Sequence, residues 1–173
     1  MKIVLIRHGA TKGNLEKRYI GRTDEDLCGE GIKKLKEDTY AGIYPPAQAV
    51  FSSPMKRCLS TAECIYPVQT PQIVWDFREC DFGLFEGKNY KELTGNPQYQ
   101  QWIDSNGTLP FPGGETLTDF KKCPCIFGNG FKIGKHFKRA GNIGKTGRHY
   151  SGICRSRRYN HGGIVGIVRR GLL

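Results

Sequence analysis

The apolar positions of this chain fall into short runs separated by polar, glycine-rich stretches. Lys2-Ile-Val-Leu-Ile6 is continuous and β-branched, the pattern of a buried strand. Arg7-His8-Gly9 closes it, so a charged pair and a glycine stand at the carboxyl end of a strand, where open α/β sheets bind ligands. Residues 30–39 place Ile32 and Leu35 among lysines and acids and predict a weakly amphipathic helix. Residues 48–52 predict a second buried strand. Ser52-Ser53-Pro54 then predicts a helix start, with serine as N-cap and proline at the first helical position; Cys58, Leu59, Ala62 and Ile65 fall on one face. Residues 72–75 predict a third strand. Residues 89–103 predict helix with Tyr90, Leu93, Tyr99 and Trp102 as anchors, interrupted by Gly95 and Pro97. Pro110 to Gly114 reads as a loop, and Thr116 to Asp119 as a capping box that opens another helix.

The pattern of that helix is lost after Lys122. Cys123-Pro-Cys125 and Phe127-Gly-Asn-Gly130 break it, since an interior proline costs about 3 kcal/mol and a glycine about 1 kcal/mol relative to alanine. Residues 123–160 show neither helical nor alternating periodicity. A strand pattern returns only at 161–168.

Length and composition fit one domain of 173 residues with a real core, its hydrophobic content being 38%. No apolar run approaches the roughly 20 residues of a membrane span, and the run at Ile3 to Ile6 is too short for a signal-peptide core, so the expected location is the cytoplasm. Seven cysteines without a CxxC pair read as reduced thiols rather than a zinc site. The net charge of +11 is unevenly spread: residues 1–120 hold 14 Lys and Arg against all 16 Asp and Glu, and residues 121–173 hold 13 Lys and Arg with no acid. A mildly acidic domain is therefore joined to a wholly basic third, and the overall charge is a poor argument for nucleic acid.

The candidate chemistry begins at Arg7-His8-Gly9-Ala-Thr11-Lys-Gly-Asn14. A neutral imidazole is a nucleophile when one nitrogen is oriented by a hydrogen bond and the other faces the substrate. A transferring phosphoryl group also needs cations on its oxygens, and Arg57 opens a separate helix from which it can supply one. Arg-His-Gly-x-Thr-x-x-Asn after an N-terminal strand resembles the signature of the histidine phosphatase, or phosphoglycerate mutase-like, family. Ser52-Ser53-Pro54-x-x-Arg57-x-x-x-Thr61-Ala62 resembles its second block, Arg78-Glu79-Cys-Asp81-Phe82-Gly83-x-x-Glu86-Gly87 its third, and His161-Gly162-Gly163 its fourth.

The resemblance implies an α/β three-layer sandwich, with a mostly parallel central sheet flanked by helices. It implies catalytic roles for His8 as nucleophile, Glu79 as general acid and then base, and His161. Arg7, Thr11, Asn14, Gly21, Arg57 and Gly162 would contact the phosphate or substrate. A carboxyl group facing phosphate oxygens can hold a proton near neutrality. Glu86 reads as structural, holding the site loop, and Asp81 as a supporting or solvated group. No metal or cofactor is implied, because arginines and histidines supply the positive charge. The expected partner is a small phosphorylated substrate, with no membrane or nucleic acid; a homodimer is compatible with the family. Within the family, Tyr19-Ile-Gly21-Arg22-Thr23-Asp24, Phe82-Gly83-x-Phe85-Glu86-Gly87 and Phe111-Pro-Gly-Gly-Glu115 look most like the α-ribazole phosphatase branch of cobalamin synthesis. The alternatives are a mutase-like phosphotransferase and an inactive or basic anion-binding module.

Residues 1–173 are thus expected to form a single histidine phosphatase domain, in which 123–160 is an atypical basic segment. The family pattern requires there a long amphipathic helix and an apolar strand leading into His161, and a further helix and strand after Gly163. Two readings of 123–160 stay open. One is a stretch translated in a shifted frame. The other is a basic insertion, disordered or anion-binding.

Overall fold

The computed structural model describes residues 2–116 and 164–169. The chain runs through β1 (Lys2–Arg7), a one-turn helix α1 (Lys12–Leu15), α2 (Gly29–Tyr40), β2 (Ala49–Ser52), α3 (Lys56–Ile65) and β3 (Gln72–Ile73). Two 3-10 turns come next, Trp75–Phe77 and Gly83–Phe85, then α4 (Tyr90–Leu93), α5 (Pro97–Asp104) and β4 (Ile164–Arg169). The strands form one sheet in the order β1-β4-β2-β3. β2 and β3 pair in parallel, and β4 is antiparallel to both β1 and β2. β1, β2 and β3 therefore share one direction and β4 runs against them. The α/β architecture and the predominance of one strand direction agree with the expectation from sequence.

The main core lies between the sheet and the α2–α3 pair. Ile6 and Val50 from the strands meet Leu35 from α2 and Cys58, Ala62 and Ile65 from α3. Each large aliphatic side chain removed from water here contributes about 1.5–3 kcal/mol. The opposite face of β2 carries Phe51, which packs with Val74. An aromatic cluster of Phe82, Phe85, Trp102 and Phe111, with Tyr19 and Tyr99 against it, binds α5 to the segments around residues 20 and 80.

Local boundaries differ from the sequence reading where tertiary partners replace local ones. α3 begins at Lys56, with Met55 as N-cap and no side-chain cap of its own. Its first amide instead donates to Asp24 Oδ1, 2.8 Å away, so a distant carboxylate does at the positive helix end what Ser53 was expected to do. The third strand stops at Ile73 and the chain turns at once into the Trp75–Phe77 coil. The 89–103 helix is two helices: Thr94 ends α4 in an extended conformation, and Asn96 caps α5 with Pro97 at its first turn. β4, Ile164–Arg169, falls in the region expected as strand, and residues 161–163 lie outside the described residues. The helix expected after Thr116 and the whole 123–160 segment lie outside the described residues.

Candidate functional site

His8 comes directly after the last residue of β1 and is buried, with 6% of its surface exposed. Its Nδ1 lies 2.6 Å from the Gly9 carbonyl oxygen. A carbonyl only accepts, so Nδ1 carries the proton and donates, and Nε2 keeps its lone pair. Burial lowers the imidazolium pKa from 6.5 to about 4; the Gly9 bond opposes this, while Arg57 and Arg7 push the same way as burial. His8 is therefore neutral across the physiological range, the state a nitrogen nucleophile requires.

Arg57 is fully buried in the first turn of α3. Its Nη1 donates to Thr23 O at 2.7 Å and its Nη2 to Gly21 O at 2.9 Å. Its Nε has no hydrogen-bond partner among the described residues, and no described carboxylate forms an ion pair with it. Taking an ion out of water costs several kcal/mol unless a counter-charge meets it. A buried guanidinium held by carbonyls, with its Nε–H still unused, is poised for an anion. Thr61 joins it to the histidine: the Thr61 hydroxyl donates to Arg57 O (2.6 Å) and accepts the Gly9 N–H (3.0 Å).

The other expected contacts resolve into distinct tasks. Arg7 ends β1 with an exposed side chain and acts electrostatically on His8. Thr11 and Asn14 cap α1 reciprocally: Asn14 N–H donates to Thr11 Oγ1 and Thr11 N–H to Asn14 Oδ1, both at 3.2 Å. That use of the amide oxygen leaves the Asn14 NH₂ as its donor end. Gly21, expected to contact phosphate or substrate, has both of its backbone polar groups engaged. Its N–H already donates to the Glu86 carboxylate (2.8 and 3.1 Å), and its carbonyl accepts from Arg57, so it is a joint beneath the guanidinium. It must be glycine, because a Cβ there would lie 1.9 Å from Cys80 O. Glu86 also accepts from Thr23 N–H (2.9 Å) and Thr23 Oγ1 (3.3 Å), which is the loop-holding role read from the sequence.

Glu79 is half-buried, and its Oε1 accepts the N–H of Cys80 at 2.9 Å. Cys80 packs on Gly21, so Glu79 is tied through two residues to the carbonyl that holds Arg57. The Cys58 thiol, pushed up to about 11 chiefly by burial, lies close enough to feel Arg57, Glu79 and Asp24. Asp81 Oδ1 accepts the Gly83 N–H at 2.9 Å, a local turn bond. His161 and Gly162 lie outside the described residues. Thr61 and Glu115 were given no role from sequence: Thr61 stood out only as part of a block, and Glu115 only as the last residue of the Phe111–Glu115 motif.

Among the described residues no group of three or more His, Cys, Asp or Glu is arranged to hold a metal ion. None of the described helices is long and apolar enough to cross a membrane. Cys28, Cys58, Cys64 and Cys80 are free thiols.

A neutral, oriented imidazole therefore stands within electrostatic reach of a buried guanidinium. Residues 3–122 match the histidine phosphatase superfamily (branch 1), and the chain belongs to that family. The match stops one residue short of Cys123, where the basic segment opens. The chain is 28% identical over 121 residues to phosphoserine phosphatase 1 of Hydrogenobacter thermophilus, covering 68% of this chain and 57% of that protein. It is 32% identical over 121 residues to a 2,3-bisphosphoglycerate-dependent phosphoglycerate mutase of Dichelobacter nodosus, covering 63% of this chain and 48% of the mutase. The crystal structure of a candidate alpha-ribazole-5'-P phosphatase of Escherichia coli shares the fold, with a TM-score of 0.63 at 22% identity over 70% of this chain and 62% of that one. The chain thus spans about half the length of the curated relatives it matches.

Proposed function

We propose that the chain is a phosphatase that hydrolyses a small phosphomonoester through a phosphohistidine on His8. The observation that carries this reading is the Nδ1–Gly9 bond of a buried, neutral His8 beside Arg57. Nε2 attacks phosphorus and the N–P bond forms as the ester P–O bond breaks. Glu79, protonated, gives its proton to the departing alcohol oxygen. Water then attacks the phosphohistidine, Glu79 takes the water's proton, and the N–P bond breaks to release phosphate and free His8. Arg57 and Arg7 hold the phosphoryl oxygens, and the Asn14 amide donates to one of them. Preorganised donors of this kind contribute about 2.7–4 kcal/mol each to lowering a barrier.

For the substrate, the proposal is α-ribazole 5'-phosphate, in cobalamin synthesis. Support comes from the Tyr19–Asp24, Phe82–Gly87 and Phe111–Glu115 sequences, and from likeness in fold to the Escherichia coli protein. A mutase-like phosphotransferase is the second reading, favoured by the 32% identity to the phosphoglycerate mutase. The test incubates the chain with α-ribazole 5'-phosphate, and separately with 3-phosphoglycerate. Acid-labile phosphate on the protein, absent from His8→Ala, with release of free phosphate from the first substrate, is the expected result. Isomerisation of the second without net hydrolysis selects the mutase. Turnover retained by His8→Ala overturns both.

A further inference from the structure

Glu115 grips the segment that carries Glu79 from two sides. Its Oε2 accepts the Asp81 N–H at 2.9 Å, and its own N–H donates to the Asp81 carbonyl at 3.0 Å. Its Oε1 accepts from Arg22 Nη2 at 3.0 Å, and Arg22 Nε lies 3.9 Å from Asp81 Oδ2. The turn behind it is fixed in its own right: Gly114 N–H donates to Phe111 O, and Leu84 N–H to Pro112 O. On the other side of the same segment, Cys80 O is pressed against Gly21. Only Cys80, 3% exposed, separates the gripped residue from Glu79, and its thiol responds to both the Glu115 and the Glu79 carboxylates.

Stability alone is a weak reason for this arrangement. The Arg22 and Glu115 side chains are 38% and 34% exposed, and an ion pair in that setting contributes about 0–1 kcal/mol. What the bonds do instead is define where the Cys80–Asp81 peptide sits, and hence where the Glu79 carboxyl points.

We infer that Glu115, held by Arg22, is a positioning residue for Glu79, setting its carboxyl to protonate the leaving alcohol and to deprotonate the attacking water. The inference rests on the proposed role of Glu79. It concerns a bond-breaking step in which the ester P–O electrons leave with oxygen and Glu79 supplies the proton. An activated aryl leaving group departs without that proton and an alkyl alcohol does not.

The experiment compares kcat/KM of the full chain on p-nitrophenyl phosphate and on an alkyl phosphate, for wild type, Glu115→Gln and Arg22→Gln. This ratio reports the transfer to His8 and not the later hydrolysis. A slight misplacement of a catalytic group costs on the order of 100-fold. Glu115→Gln is therefore expected to lose roughly 10- to 100-fold on the alkyl ester, with little change on the aryl ester. Phosphohistidine should also accumulate from the aryl ester, because its hydrolysis still needs Glu79. Arg22→Gln should show the same selectivity in smaller measure, and it decides the matter if Glu115→Gln does not fold. Equal losses on both esters, or none, overturn the inference while leaving the phosphatase reading intact. A wild type that discriminates neither ester and is indifferent to Glu79→Gln overturns the role of Glu79 and the inference with it.

Discussion

Acid should weaken this protein through His8, by an amount the structure sets. The folded pKa is lowered to about 4, chiefly by burial, while the unfolded chain titrates near the ordinary 6.5. Between those values the unfolded state binds a proton that the folded state refuses, so stability falls as pH drops through that window. Above 6.5 neither state is charged, and below about 4 both are, so the change is confined to the interval. At about 1.36 kcal/mol per pKa unit, the loss from this one group is about 3 kcal/mol, a large fraction of the 5–15 kcal/mol typical of a domain. Other groups titrate in the same range, so the comparison must be with a variant that differs at this position only. His8→Asn keeps a side-chain donor for the Gly9 carbonyl and cannot titrate. Urea unfolding of both proteins from about pH 8 down to about pH 4 gives the difference in stability at each pH. The wild type should lose about 3 kcal/mol relative to His8→Asn over that range. Parallel curves would mean that His8 is not held neutral, and the argument for its nucleophilicity would fail.

Three further outcomes rest on particular contacts or sequences. Gly21→Ala puts a Cβ 1.9 Å from Cys80 O and 2.9 Å from the Phe82 ring, and the first of these is backbone that cannot swing aside. The urea midpoint should fall by the equivalent of about 3 kcal/mol, and a change too small to measure would refute the packing described. Glu86→Gln removes the charge that gathers two backbone N–H groups and a hydroxyl, and should cost about 1.5–3 kcal/mol in the same assay. A stability equal to wild type would show that Glu86 does not hold the loop. Translating the coding DNA for residues 123–160 one base over should restore an amphipathic helix and an apolar strand. If neither alternative frame does so, the frame-shift reading is lost and the basic insertion stands.

Elements whose signal is local were legible in the sequence. β1, β2 and α2 each carry their own apolar pattern, and the structure places them within a residue or so of the expected bounds. Errors arose where a distant group did the local work. The start of α3 depends on Asp24, which no pattern near residue 53 announces. For Gly21, expected by resemblance to contact phosphate or substrate, the local sequence did not announce the bonds its backbone makes. Only the approach of Cys80 and the demands of Arg57 and Glu86 reveal a joint. The break at Thr94 to Asn96 was visible as Gly95 and Pro97, but that Asn96 would cap a new helix was not read out. The roles expected of His8, Arg57 and Glu79 came from motif blocks, whereas the Gly9–Thr61 and Arg57–Gly21 bonds are tertiary. β4 was expected as a strand, but its direction against β1 and β2 is a property of the sheet.

The central claim concerns one nitrogen of one imidazole. Denaturing the chain in base during turnover of an aryl phosphate, and determining by NMR which ring nitrogen carries the phosphate, tests it most directly. Because Nδ1 is committed to the Gly9 carbonyl, the account predicts phosphate on Nε2 of His8 and on no other residue. Phosphate on Nδ1, or on a serine, threonine or cysteine, would contradict it.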